Sequence, residues 1–139
     1  ARAAGATVHV NPDPGEGPNT SLRLALDALP SGTKGVAFCP VDHPLLQAET
    51  VAQLIETFDA GDAPVVLPTM EGRRGHPALF RNTVFSHLMD PALEGGARTV
   101  VHRFAGAAAM VEVADRGAVT DVDTPGAYRE AFGSKGRHV

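Results

Sequence analysis

The sequence predicts a single α/β domain built on a mixed, mostly parallel sheet. Three observations carry this expectation. Short apolar runs bounded by Gly and Pro occur at Gly35–Cys39 and Val65–Leu67, the pattern of buried strands. Between and after them lie segments with helical period, clearest over Glu49–Asp59. Gly and Pro are plentiful, 15 and 11 residues, so the elements are short and joined by definite turns. Strands alternating with helices point to a parallel arrangement. No internal repeat, linker or low-complexity block interrupts the chain. Residues 1–132 therefore read as one domain and 133–139 as a flexible tail.

Along the chain, Ala6–Val10 has the β-branched alternation of a strand. Asn11–Asn19 holds three prolines and two glycines and reads as a loop. Asn19-Thr20-Ser21 offers an N-cap to a helix over Leu22–Leu29, which Pro30-Ser31-Gly32 stops. The strand from Gly35 to Cys39 then releases Asp42 between two prolines. A buried strand cannot hold an unpaired carboxylate, so Asp42 belongs at its solvent end. In the helix at 49–59, Val51, Leu54, Ile55 and Phe58 share one face at i, i+3, i+4, i+7, and Gly61 ends it. Val65–Leu67 is a second buried strand. Glu71–His76 is a charged turn, and Pro77–Phe80 resumes extended structure. Val84, Phe85, Leu88 and Met89 mark a short helix before Pro91. Ala97–Phe104 is helical after the loop Glu94-Gly95-Gly96. Met110–Val113 alternates as a strand, and Asp115-Arg116-Gly117 is a turn. Thr124-Pro125 caps a last helix over Gly126–Phe132.

Composition excludes several function classes. Hydrophobic residues make up 43% and charged residues 20%, as in a soluble globular domain, and the net charge of -4 gives no footprint for nucleic acid. One cysteine forms no internal disulfide, which fits a reducing, cytoplasmic setting. No apolar run reaches membrane-span length, and no signal-peptide pattern opens the chain, which starts at Ala1 in what reads as ordinary domain sequence. A processed or truncated product is the expectation there.

Four constellations carry chemistry. Asp42 from one strand end, with Asp121 and Asp123 from a later one, offers hard oxygen donors of the kind Mg²⁺ takes beside waters and phosphates. The Asp-Val-Asp spacing puts Asp121 and Asp123 on one face of an extended segment. Each of the three is read equally well as a strand-end or helix-capping residue. Arg74, with Arg73 and the glycines around it, could fork onto a phosphate. A solvated hairpin turn is the plainer reading. Gly95-Gly96-Ala97-Arg98 opens a helix where an anion can approach backbone N–H groups, or is a plain loop. The hydroxyls at 20–21 sit at another helix start, where caps are common. Six histidines show no metal-ligand spacing. His43 and His76 fall near these loops, but an isolated histidine is more often structural. Cys39 is expected buried and inert. Walker, GxGxxG and nucleophile-elbow motifs are absent from the sequence.

Taken in order, Pro18-Asn19-Thr20-Ser21-Leu22-Arg23-Leu24-Ala25-Leu26, Phe38-Cys39-Pro40-Val41-Asp42-His43-Pro44-Leu45-Leu46, Leu67-Pro68, Arg74-Gly75-His76-Pro77-Ala78-Leu79-Phe80, Gly96-Ala97-Arg98 and Asp121-Val122-Asp123-Thr124-Pro125, with Tyr128 after them, resemble the molybdenum-cofactor nucleotidyltransferases, above all the cytidylyltransferase branch. The resemblance runs from about Val8 to Tyr128. It implies a Rossmann-like GT-A fold, that of nucleotide-diphospho-sugar transferases, incomplete at the N-terminus. It implies transfer of CMP or GMP from CTP or GTP to a molybdopterin-like phosphate, with release of pyrophosphate. By the same resemblance Asp42 and Asp121 or Asp123 hold Mg²⁺ and are catalytic. Ser21 and Leu22 lie beside the base and ribose, Arg74, Gly75 and His76 near the second substrate, and Arg98 in the Gly-Ala-Arg loop.

The sequence departs from the family at three places. The Gly-rich loop that grips the triphosphate is not among these residues, Leu93-Glu94 replaces a Gly-Asp pair, and Gly126-Ala127 replaces Glu-Asp. A chain without the triphosphate loop works with an oligomeric partner or a complementing N-terminal segment, or is a catalytically silent regulatory domain. A sugar-phosphate nucleotidyltransferase or glycosyltransferase of the same fold is the nearest enzyme alternative.

Overall fold

The computed structural model describes residues 1–133. In chain order the elements are helix α1 (Pro18–Asp27), strand β1 (Gly35–Phe38), helix α2 (Ala48–Ala60), strands β2 (Val65–Met70), β3 (Arg73–Arg74) and β4 (Ala78–Arg81), helices α3 (Phe85–Leu88) and α4 (Ala97–Arg103), strand β5 (Ala109–Glu112) and helix α5 (Pro125–Phe132). Short 3-10 turns lie at Arg2–Ala4, Pro14–Glu16, Asn82–Val84 and Arg116–Val119.

The sheet is mixed, with a smaller parallel share than the sequence led us to expect. β2 and β5 pair in parallel, whereas β1–β4, β4–β2 and β2–β3 are antiparallel. β4 is the reason. It returns from β2 through a tight hairpin instead of crossing over, and it separates β1 from β2. The turn residues Glu71 and Gly72 have φ of 52° and 77°, the paired positive values that match the twist of a two-residue hairpin. Pro68 lies inside β2, where its missing N–H would normally break a ladder. Here it sits between the β3 and β4 registers, and its carbonyl accepts from Gly75 N at 2.9 Å.

Alternation along the strands divides the core in two. Val65, Leu67, Ala78 and Phe80 face one way and pack with Leu22 of α1, Leu88 of α3 and Val100 of α4. Val66 and Leu79 face the other way, onto Leu54 and Phe58 of α2. A sheet covered on both faces needs strands that are apolar throughout, and β2 is buried from Val65 to Pro68. β1 is an edge strand and only half-buried, with Ala37 exposed.

Helix α2 is held at both ends by side chains from other elements. At its start the Asp115 carboxylate accepts from Gln47 N at 2.9 Å and from Thr50 Oγ1 at 2.7 Å. At its end Arg81 donates to the carbonyls of Phe58 (2.6 Å), Gly61 (2.7 Å) and Ala63 (3.1 Å) and lies 3.9 Å over the Phe58 ring. An acid at the N-terminus and a cation at the C-terminus both suit the helix dipole. Arg81→Ala is expected to cost about 2 kcal/mol by losing these charged hydrogen bonds and the ring contact. Thermal melts and faster amide exchange over the last turn of α2 check it.

Four expectations need correction. Ala6–Val10 is not a strand; no neighbouring edge pairs with it, and Val10 is 76% exposed. Helix α1 starts at Pro18, so Asn19, Thr20 and Ser21 lie inside its first turn, and no side chain caps it. Ile55 points to solvent, because the buried stripe of α2 is Thr50, Leu54 and Phe58, turned inward by the Thr50–Asp115 bond. Cys39 is exposed at the strand end. Partial burial and then the Asp42 charge push its thiol up, which keeps it protonated. Beyond Gly133 the expected tail lies outside the described residues. Among the described residues no helix is long and apolar enough to cross a membrane.

Candidate functional site

Three loops meet at one end of the sheet: 39–46 after β1, 75–77 between β3 and β4, and 115–123 after β5. Their backbones touch. A Cβ on Gly75 would stand 2.3 Å from Ala118 O, and one on Gly117 would stand 2.1 Å from Leu45 O. Only glycine permits either approach.

The carboxylates of the sequence reading converge here. Val122 N donates to Asp42 O at 2.8 Å, which brings the Asp121–Asp123 segment against the end of β1. The Asp123 carboxyl is raised above its ordinary value, first by a hydrogen bond with Asp121, then by slight desolvation and the charges of Asp121 and Asp42. Thr124 leaves the cluster and caps α5, accepting from Ala127 N at 3.1 Å, as the Thr-Pro signal indicated. Asp42 Oδ1 is buried without a hydrogen-bond partner. A buried carboxylate oxygen without a donor is costly, and a cation beside it removes that cost. Among the described residues no group of three or more His, Cys, Asp or Glu side chains is placed to hold a metal ion by itself. What remains for a cation is the unpartnered Asp42 Oδ1, a hard oxygen donor of the kind used by ions that keep most of their waters and take one or two carboxylates.

Two histidines join this cluster, a pairing without any local signal in the sequence. Their ring centroids are 4.7 Å apart. His43 Nδ1 lies 3.3 Å from Gly117 O; a carbonyl only accepts, so this contact assigns the proton to Nδ1. His43 Nε2 then faces Asp42 Oδ1 at 3.8 Å, beyond hydrogen-bond reach. His76 Nδ1 is buried and unpartnered. Burial lowers the affinity of His76 for a proton, and His43 lowers it further, while Asp42 and Phe38 act the other way. The signal available in sequence was position alone: each histidine adjoins a residue already singled out, Asp42 or Gly75.

His76 also lines a cavity of about 530 Å³, within the usual range for a small-ligand site. Its apolar wall includes Leu22, Phe38, Leu67, Phe80 and Val101, and its polar groups include Asn19, Arg74, Arg98 and His102. Asn19 Nδ2 donates to Leu93 O at 2.6 Å and so ties α1 to the loop before α4. Of the predicted binding residues, Leu22, Arg74, Gly75, His76 and Arg98 form the cavity wall. Ser21 does not; it is exposed, and its hydroxyl accepts from Asn11 Nδ2 at 2.9 Å.

Solved structures share this architecture. Rv0371c from Mycobacterium tuberculosis H37Rv matches with a TM-score of 0.69 at 24% identity, over 83% of this chain and 59% of that one. Its complex with manganese matches with a TM-score of 0.68 at 25% identity, over 81% and 59%. A homologue from Mycobacterium sp. strain JC1 gives 0.67 at 25%, over 82% and 56%. The chain thus spans less than two thirds of the length of these neighbours. No curated protein matches it in sequence. Asp121 and Asp123 fall beyond the stretch that the family comparison covers. That comparison matches residues 1–113 to the MobA-like NTP transferase domain, and the chain belongs to this family of nucleotidyltransferase-like proteins.

Proposed function

We propose that the site supports divalent-cation-dependent nucleotidyl transfer, moving CMP or GMP from CTP or GTP to a molybdopterin-like phosphate with release of pyrophosphate. The observation that carries this is the sign change across the site. Arg74 and Arg98 line the cavity, while Asp42, Asp121 and Asp123 gather at the loop ends beyond His76. Arginines receive phosphate, but three carboxylates repel it unless a cation lies between. The unpartnered Asp42 Oδ1 supports the same reading.

Asp42, with Asp121 or Asp123, would hold the cation, which when bound neutralises phosphate charge; Mg²⁺ is the proposed ion. Arg74 and Arg98 orient the phosphates of the two substrates, and Leu22 and Phe38 offer apolar surface to a ring. In the reaction a phosphate oxygen of the acceptor forms a bond to the α-phosphorus, and the bond to the β-phosphate oxygen breaks. The nucleophile is already anionic, so the protein needs to remove no proton. Positioning and charge neutralisation carry the rate. An oligomeric partner or a complementing N-terminal segment would supply the triphosphate grip, because no glycine-rich phosphate loop is among these residues. The supply of nucleoside triphosphates and the single cysteine support a cytoplasmic setting.

Isothermal titration of the intact protein, triphosphate grip included, with CTP and GTP, with and without Mg²⁺, tests the proposal. The expected result is saturable binding that requires the metal. Absence of metal-dependent binding overturns the proposal in favour of a catalytically silent domain.

A further inference from the structure

We infer that Asp115 is a positioning residue for the site, acting through the turn it anchors. The side chain is 2% exposed and touches none of the cavity-lining residues by hydrogen bond. Its Oδ2 is fixed to the start of α2 through Gln47 N and Thr50 Oγ1. Its Oδ1 accepts from Gly117 N at 2.8 Å. The carboxylate thereby fastens the 116–119 turn to the end of a helix held rigidly by the core.

That turn presents three successive carbonyls to the site. Gly117 O holds His43 Nδ1 at 3.3 Å, Ala118 O accepts from His76 N at 2.7 Å, and Val119 O accepts from Arg73 Nη2 at 2.9 Å. The two glycine contacts described above pack the backbone of this turn closely against Leu45 and Gly75. One buried carboxylate therefore sets the ring orientation of His43, the path of the Arg73–His76 loop and, through the chain that follows, the approach of Asp121–Asp123 to Asp42. A purely structural capping role predicts lost stability alone. A positioning role predicts in addition a change in the imidazole of His43.

The test is long-range ¹H–¹⁵N spectroscopy of the histidine rings in the full chain, beside Mn²⁺ titration followed by electron paramagnetic resonance. Wild type is expected to show His43 as the Nδ1–H tautomer. Asp115→Asn and Thr50→Val are expected to lose that signature and to weaken Mn²⁺ binding about 10- to 100-fold, the range for residues that support metal ligands. Thr50→Ser is expected to restore both. Arg81→Ala, which destabilises the far end of the same helix, is expected to leave the His43 signature unchanged. If Asp115→Asn does not fold, Thr50→Val and Thr50→Ser decide. An unchanged His43 tautomer in a folded variant overturns the inference, as does an equal change in Arg81→Ala. The Mn²⁺ measurement rests on the proposed carboxylate site and the tautomer measurement does not. A wild type that binds no Mn²⁺ yet shows the tautomer change defeats the metal reading and leaves the positioning role standing.

Discussion

Asp42→Ala is expected to lower metal-dependent nucleotidyl transfer by the intact protein at least about 100-fold, some 2.7 kcal/mol of barrier, without lowering its melting temperature. The two halves of this expectation have one cause. Asp42 Oδ1 is buried without a donor, and a polar atom in that state costs the fold about 1–3 kcal/mol. Removing it relieves that cost, partly offset by lost packing, while it deletes the carboxylate closest to His43. A melting temperature unchanged or slightly raised, beside lost transfer of a labelled nucleotide, is the result that fits. Retained transfer eliminates Asp42 as a ligand. A fall of several degrees with retained transfer makes it a structural residue.

Asp115→Ala is expected to have the largest effect on stability, a loss of about 3–4 kcal/mol, or roughly 10 °C in melting temperature. It strands the buried donors Thr50 Oγ1 and Gly117 N, and with them the part-buried Gln47 N. The effect is expected to depend on pH in a defined direction. Burial alone would raise the Asp115 carboxyl, but hydrogen bonds from Gln47, Thr50, Gly117 and Ala118 outweigh it and hold the carboxyl below its ordinary value of 3.8. A group depressed in the folded state stabilises fully above its unfolded value and loses that contribution as pH falls through the folded one. Wild type and Asp115→Ala are therefore expected to differ most above pH 4 and to converge in stronger acid. Melting curves between pH 2.5 and 7 measure this, and a gap that widens in acid refutes it.

The contrast between Asp42 and Asp115 shows how far the sequence could be read. The position of Asp42 beyond the end of β1 was legible because an apolar run releasing one carboxylate is a one-dimensional signal. Val65–Leu67 and the Thr124-Pro125 cap were legible for the same reason, since burial on both faces and a helix start each leave a local signature. Asp115 reads as a turn residue because the donors that surround it come mostly from residues 47 and 50, far away in the chain. The His43–His76 contact is equally invisible, created by loops that only the finished sheet brings together. Ala6–Val10 shows the converse. Its alternation suits a strand, but a strand exists only where another edge receives it. Ile55 sits on the expected helical face, yet a hydrogen bond at Thr50 decides which face turns inward.

The order of the chain adds a consequence for how the protein is made. All five strands have been synthesised once Glu112 is in place, so the sheet and both hydrophobic layers can close before the last segment exists. Everything that arranges the site comes later: Asp115, the three carbonyls of residues 117–119, and Asp121 with Asp123. Until then Gln47 N and Thr50 Oγ1 at the start of α2 lack their carboxylate acceptor and the Asp42 loop has nothing to rest on. A nascent chain that stops near residue 113 can carry the architecture and lack the carboxylates of the proposed cation site. Residues 115–123 add the turn and the carboxylates to a scaffold already folded, and the Val122–Asp42 backbone bond is a long-range closure made late.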